Sequence, residues 1–348
     1  MNSNGFSAWL EIDLEIIGQN VRKLQHISQA EVMAIVKANG YGHGAAVIAR
    51  ASVEAGATWL GVARLEEAIA LRRSGLHCLI LVLGYTSPDR VTEAINNNIC
   101  LTIYDQQIGQ AYAQQMEHLG GRLRLRIKVD TGMGRLGISP ETALEFIENL
   151  SRRPNLTIEG IFTHFAHADE PQAPATGEQL AMFDQLLSGL RRDGIALRYI
   201  HSANSAAILN YPKAHYDLVR PGIALYGFPL SPETPLPNDI RPALTWKTRL
   251  TSVSTFPSGH GISYGHMYHT RAEERIGSIA FGYADGYRRV DGNVALVRGK
   301  RAPVVGRVCM DQCMLQLDDV PDTAIGDEVV LLGCQGEVCI TAEELADR

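Results

Sequence analysis

No run of this sequence is apolar for the roughly 20 residues that a bilayer-spanning helix takes, so no membrane span is expected. Basic residues do not dominate either. Lys and Arg number 32 against 38 Asp and Glu, a formal net charge of -6 that argues against a nucleic-acid-binding surface. The start, MNSNGFSAWLEIDLE, lacks the basic residues and long apolar stretch of a secretory signal. Cysteine is scarce: six in 348 residues do not make a disulfide framework. Cys309 and Cys313 fall four apart, and Cys334 and Cys339 lie near a turn, but neither pair has zinc-site spacing. Buried free thiols, no metal and a cytoplasmic location are therefore expected. There is no low-complexity tract and no repeat beyond an alternation of strand and helix patterns.

That alternation is the main positive signal. With 45% apolar residues, the chain can bury a large core, and its length suits one large domain and a smaller one. After an amphipathic helical stretch, DLEIIGQNVRKLQHIS, come eight strand-like runs: EVMAIVKA, WLGVA, CLILVLG, ICLTIY, LRLRIKVD, LTIEGIFTHF, LRYIHSA and YDLVRPG. Helical patterns such as RLEEAIALRRSG and PETALEFIENLSRR separate them. Several runs are apolar throughout, as strands covered on both faces are. Eight such units predict a (β/α)8 TIM-type barrel over residues 12–238, with a doubly wound open sheet as the alternative. The Pro-rich SPETPLPNDIRP marks a boundary. Beyond it, LTSVSTF, NVALVRG, APVVGRVCMDQCMLQL and DEVVLLG alternate with period two, predicting an antiparallel C-terminal β domain over 239–348. The N-terminal segment 1–11, with WLEID, shares that alternation and is expected to join its sheet.

A barrel places function at the C-terminal ends of its strands. Strand ends here carry Lys37 before NGYGHG, Lys128 leading to Arg135, His164, HSANS at 201–205, and Arg220 before Gly222 and Ile223. Each has an ordinary explanation: a lysine snorkelling to water, glycines making a turn, a structural histidine, an arginine capping carbonyls. Five polar groups on one rim weaken those explanations together. Ser205, Gly222 and Ile223 follow strands seven and eight, the common phosphate position in such barrels, and Tyr41 can add a hydroxyl. A phosphate cup with a lysine across from it suits an aldehyde cofactor bearing a phosphate, which the amine holds as a Schiff base. Pyridoxal 5'-phosphate (PLP) is that cofactor. Arg220 beside the cup would face the pyridine nitrogen. Arginine gives up no proton, so it would leave that nitrogen unprotonated and favour return of a proton to the α-carbon.

In order along the chain, KANGYGHG, KVDTGMGRLG, FTHFAHAD, HSANSAA, VRPGIALYG, GISYGH, GYADGY and GRVCMDQCML resemble the signature stretches of the alanine racemase family. The resemblance implies a two-base PLP enzyme that interconverts L- and D-alanine, supplies D-alanine for peptidoglycan, and forms a head-to-tail homodimer with shared active sites. It implies that Lys37 is the cofactor lysine and the base for D-alanine, and that Tyr264, from the other subunit, is the base for L-alanine. Tyr41, Ser205, Gly222 and Ile223 match phosphate contacts. Arg220 matches the arginine at the pyridine nitrogen, and His164 the residue linking it to the tyrosine. Arg135 matches a residue near the substrate carboxylate, Met310 and Asp311 a substrate loop, and Tyr283 a gate. Lys128 matches a lysine often carbamylated. A carbamate would accept hydrogen bonds from Arg135, which an ammonium would repel. Family members continue past the ITAEELADR at which this sequence stops, with another tyrosine at the phosphate and a last strand. The resemblance therefore implies either that this sequence is a shortened form or that its phosphate cup has one contact fewer; loss of the last strand would also expose a sheet edge.

Other readings remain at this point. A non-enzymatic PLP-binding barrel protein would lack the β domain. A PLP barrel decarboxylase for basic amino acids would carry an acid where Arg220 stands. A metal hydrolase on His164, His167 and Asp169, or on His260, His266 and His269, lacks a recognised ligand spacing. A serine or broad-specificity racemase shares every feature noted.

Overall fold

The computed structural model describes residues 5–348. Residues 1–4 of the expected N-terminal strand segment lie outside the described residues. The chain forms two compact units. One is Leu14–Ala243, and the other joins the segment ending at Asp13 to Leu244–Arg348.

In the second unit, β1 (Ala8–Ile12) pairs antiparallel with the 13-residue strand Leu244–Phe256. The first unit holds eight strands: β2 (Glu31–Ile35), β3 (Trp59–Val62), β4 (Leu79–Val82), β5 (Cys100–Ile103), β6 (Leu123–Lys128), β7 (Leu156–Phe162), β8 (Tyr199–His201) and β9 (Leu218–Val219). They form one parallel sheet in the order β8-β7-β6-β5-β4-β3-β2-β9. Backbone hydrogen bonds from Asp217 N–H to Ile200 O and from Arg220 N–H to Ala203 O bridge the two outer strands and bring the sheet round into a barrel. The open-sheet alternative is thereby removed.

Sequence explains these elements locally. WLGV of β3 and CLTI of β5 are buried along their whole length, as strands walled on both faces must be. The connecting helices begin at side-chain caps that satisfy first-turn N–H groups. Asp105 accepts from Ile108, Ser139 accepts from Glu141 ahead of Pro140, and Asn204 accepts from Ala207. Inside the barrel, Met33, Trp59, Leu81, Cys100, Phe162, Tyr199 and Leu218 form one cluster. Trp59 is fully buried, so Trp59→Ala would cost roughly 3–5 kcal/mol.

The β unit continues with β10 (Leu244–Phe256), β11 (Gly261–Ile262), β12 (Tyr268–His269), β13 (Glu274–Ile279), β14 (Val294–Val297), β15 (Lys300–Val305), β16 (Cys313–Gln316), β17 (Glu328–Gln335) and β18 (Val338–Ile340). β10 pairs antiparallel with β1, β13 and β17, its register shifting between Leu250 and Ser252. Leu250, Phe281, Leu315 and Leu331 anchor the core beneath, with Trp246 edge-on to Phe281 at 4.6 Å.

One expectation is corrected. Cys334 and Cys339 are not free thiols but a disulfide. The tight β17–β18 hairpin sets them directly opposite each other, with Cα atoms 4.1 Å apart. Hairpin register brings them together, and spacing in sequence does not reveal it. Cys78, Cys100, Cys309 and Cys313 are free.

Candidate active site

β2 stops at Ile35, and Lys37 opens the loop that follows instead of ending the strand. Ala38, Asn39 and Gly40 then take left-handed backbone angles, with φ of 52°, 54° and 63°, and Tyr41 follows at 52°. Such angles cost non-glycine residues roughly 1–2 kcal/mol each, so neighbours must hold them. One Glu67 oxygen accepts from Ala38 N–H at 2.6 Å, and the other accepts from Ala63 and Arg64 N–H at 2.8 and 3.0 Å. The Asn39 side chain accepts from Ala45 N–H at 3.0 Å. The turn that presents Lys37 and Tyr41 is thus fixed from two sides.

Tyr41 packs on the Tyr226 ring at 4.8 Å, and the Tyr226 hydroxyl donates to Ile35 O. Ser205 begins a helix, Ser205–Asn210, and its Oγ accepts from the N–H groups of Gly222 and Ala224 at 2.9 and 3.2 Å. The Ile223 N–H has no acceptor among the described residues. Glycine at 222 leaves room for Tyr41, because a Cβ there would stand 2.7 Å from the Tyr41 hydroxyl oxygen and push the phenol aside. The Ser205 hydroxyl hydrogen, the Tyr41 phenol and the Ile223 N–H remain to meet an anion, while the Gly222 and Ala224 N–H groups are taken by Ser205 Oγ.

Arg220 follows β9 and is buried. Its Nη2 donates to Thr163 O and Ser202 O at 2.7 and 2.8 Å and reaches His164 Nδ1 at 3.4 Å. Both Nη2 hydrogens go to those two carbonyls, so His164 Nδ1 meets the guanidinium as a polar contact and not as a third hydrogen bond. Burial first, and then Arg220 and the lysines, hold His164 well below the usual histidine range, so it is neutral. His164 itself lies two residues beyond the end of β7.

Lys128 ends β6 and is buried. Burial, reinforced by Arg220 and Arg135, pushes its amine down to about 7. Lys37 is also lowered, by burial first and then by Arg135, against a raising effect of Glu67. Asp130 accepts from the N–H groups of Gly132, Met133 and Gly134 at 3.0, 2.8 and 3.1 Å, fixing the loop that delivers Arg135.

Lys37, Tyr41, Lys128, Arg135, His164, Ser205, Arg220, Gly222 and Ile223 all line one cavity of about 380 Å³. Four of its lining side chains are basic (Lys37, Lys128, Arg135 and Arg220) and none is a carboxylate, which suits a dianionic phosphate and a carboxylate-bearing substrate. A lysine with a lowered pKa beside an anion cup also fits the PLP expected from the sequence. Tyr264, Tyr283, Met310 and Asp311 belong to the β unit. The first three are 69%, 43% and 58% exposed there.

Sequence reasoning passed over Glu67, Asp130, His201 and Arg126 as individual residues. The alternation in LRLRIK carried a readable signal, since it sets Arg124, Arg126 and Lys128 on one face of β6. Glu67 and Asp130 act on backbone N–H groups that only the folded loops reveal.

Residues 12–229 match the model of the alanine racemase N-terminal domain, and 243–348 that of the alanine racemase C-terminal domain. An alanine racemase of Symbiobacterium thermophilum is 47% identical over 341 residues, covering 97% of this chain and 90% of that protein. A crystal structure of alanine racemase from Bacillus anthracis with bound L-Ala-P superposes with a TM-score of 0.91 at 38% identity, covering 98% of this chain and 89% of that one. A histidine racemase from Leuconostoc mesenteroides subsp. sake superposes at 0.92 with 32% identity, covering 99% and 93%.

Proposed function

The chain belongs to the alanine racemase family and is a PLP-dependent isomerase that interconverts L- and D-alanine; on that premise we propose which of its residues do the work. When bound, PLP supplies an electron sink that acidifies the α-proton of an amino acid joined to it. Lys37 is the anchoring amine, and its Nζ moves the proton on the D-alanine face. Its lowered pKa favours the neutral amine that both tasks need. Tyr264 Oη, from a second copy in a head-to-tail homodimer, moves the proton on the L-alanine face. The exposure of Tyr264 and Met310 on the β unit supports this arrangement.

Tyr41, Ser205, Gly222 and Ile223 hold the phosphate. Arg220 faces the pyridine nitrogen, and neutral His164 offers its Nε2–H to the Tyr264 oxygen, favouring the phenolate. Arg135 orients the substrate carboxylate. Met310 and Asp311 meet the substrate from the second copy, and Tyr283 gates its entry. Lys128 is carbamylated. We place the enzyme in the cytoplasm, supplying D-alanine for peptidoglycan; no helix among the described residues is long and apolar enough to cross a membrane.

The observation that carries this reading is one cavity lined by four basic side chains and no carboxylate, with a lysine of lowered pKa beside an anion site. The test is chiral analysis of a panel of L-amino acids incubated with the holoenzyme. Alanine is expected to racemise fastest. Equal turnover of serine or histidine would support a broad-specificity racemase, a reading that the likeness to the histidine racemase keeps open.

A further inference from the structure

The residue roles above leave Arg126 without a task. This guanidinium is 0% exposed and stands on the inner face of β6, two residues before Lys128. It lies 3.8 Å from the Trp59 ring and 4.4 Å from the Tyr199 ring. Its Nε and Nη2 have no hydrogen-bond partner among the described residues. Among the described residues no carboxylate bonds to it, and Glu159 favours its charge only from a distance. Glu159 is held at both oxygens by Arg124, at 2.6 and 3.0 Å. The neighbouring Cys100 thiol is pushed up to about 12 by burial and stays protonated.

Arg126 also lies within hydrogen-bonding reach of the Cys100 thiol, and its close contact is with His201, whose Nε2 is 2.8 Å from Arg126 Nη1. His201 is also 0% exposed, and its other nitrogen, Nδ1, is 2.8 Å from Arg220 Nη1. Phe162 stacks on the imidazole at 4.8 Å with planes 5° apart, so the ring cannot turn away from either arginine. A guanidinium has donors only, and a neutral imidazole has one acceptor and one donor. Two donors therefore face two ring nitrogens. With a neutral ring, one contact at 2.8 Å sets N–H against N–H.

We propose that Arg126 is a positioning residue for the racemisation, holding His201 with both ring nitrogens unprotonated between two guanidiniums and so fixing Arg220 as a donor toward the cofactor ring. The part concerning Arg220 rests on its proposed place at the pyridine nitrogen. As the row assembles, the remaining ring N–H bond breaks. Its electron pair stays on nitrogen and the proton leaves to water. The row then carries a net charge of about +1 instead of +2, which lessens the penalty of burying two cations without a carboxylate. Arg220 gains an anionic acceptor behind it, which keeps it protonated although burial draws its pKa down to about 9. Trp59 and Tyr199 hold Arg126 in line through the attraction of ring faces for a cation.

The test is 15N magnetic resonance of histidine-labelled protein, with and without PLP. The His201 signals are assigned as those that His201→Asn removes or, should that variant not fold, those that Arg126→Met shifts. The expected result is two ring nitrogens without one-bond N–H coupling in both forms of the wild-type protein, and one protonated nitrogen in Arg126→Met. A proton on either nitrogen of wild-type His201 overturns the row. In the holoenzyme, Arg126→Met is expected to lower kcat about tenfold with KM for alanine nearly unchanged, and to move the absorption band of the bound cofactor. If the row is seen but kcat and band stay put, the positioning role is overturned. If Arg220→Gln leaves the band unmoved, the placement of Arg220 falls instead.

Discussion

Lys128 offers a chemical test of the site. Its amine sits at about 7, because burial and two nearby guanidiniums disfavour the ammonium. At pH 7.4 an ordinary lysine is neutral in roughly one molecule in a thousand, whereas a group at about 7 is neutral in roughly seven of ten. The gap corresponds to about 5 kcal/mol between protonation states. The neutral amine attacks carbon dioxide. An N–C bond forms, a proton leaves to water, and an anion stands between Arg135 and Arg220. Enzyme in 13C-bicarbonate should therefore show one carbamate resonance per chain, absent from Lys128→Met. That variant loses a charge-assisted hydrogen bond to Arg135, worth about 1.5–3 kcal/mol, so kcat/KM should fall roughly 10- to 100-fold. The pH dependence has a definite sign. Without carbon dioxide, the unfolded chain binds a proton at Lys128 between pH about 7 and about 10.4 that the folded chain does not, so stability rises with pH across that window. Bicarbonate at pH 7.5 should raise Tm in the wild type and not in Lys128→Met. A missing carbamate signal, with kinetics indifferent to carbon dioxide, would refute the reasoning.

Three further outcomes are expected. In Gly227→Ala, with φ at +83° and the new Cβ 1.9 Å from Arg241 O, backbone must move; denaturant titration should show a loss of about 3 kcal/mol or more. Gly222→Ala drives a Cβ to 2.7 Å from the Tyr41 hydroxyl oxygen, so equilibrium titration should show PLP binding weakened about tenfold or more, while the urea midpoint changes little. Tyr264→Phe should slow L-to-D conversion about 100-fold or more and leave cofactor content intact; parallel loss of both would make the tyrosine structural.

The barrel was legible because burial on both faces forces strands such as WLGV and LILV to be apolar throughout, while the intervening helices keep a 3.6-residue period. The antiparallel unit was legible from period-two alternation. Rim polarity likewise announced the cavity, since Lys37, Lys128, His164 and Arg220 fall within two residues of strand ends. What stayed hidden depends on register and loop closure. The Cys334–Cys339 bond arises from hairpin pairing, and the left-handed turn after Ile35 made a strand-ending lysine of what is a loop residue. Glu67 and Asp130 act on backbone N–H groups that no spacing in the sequence announces. Tyr264 gave no signal of its own and entered only through the family resemblance.

The most direct test of the central claim is to reduce the PLP-loaded enzyme with borohydride and map the modified peptide. The pyridoxyl group is predicted on Lys37, in the peptide containing AIVKANGYGHG, at one per chain. Modification at Lys128 or any other lysine, with Lys37 left free, would contradict the account.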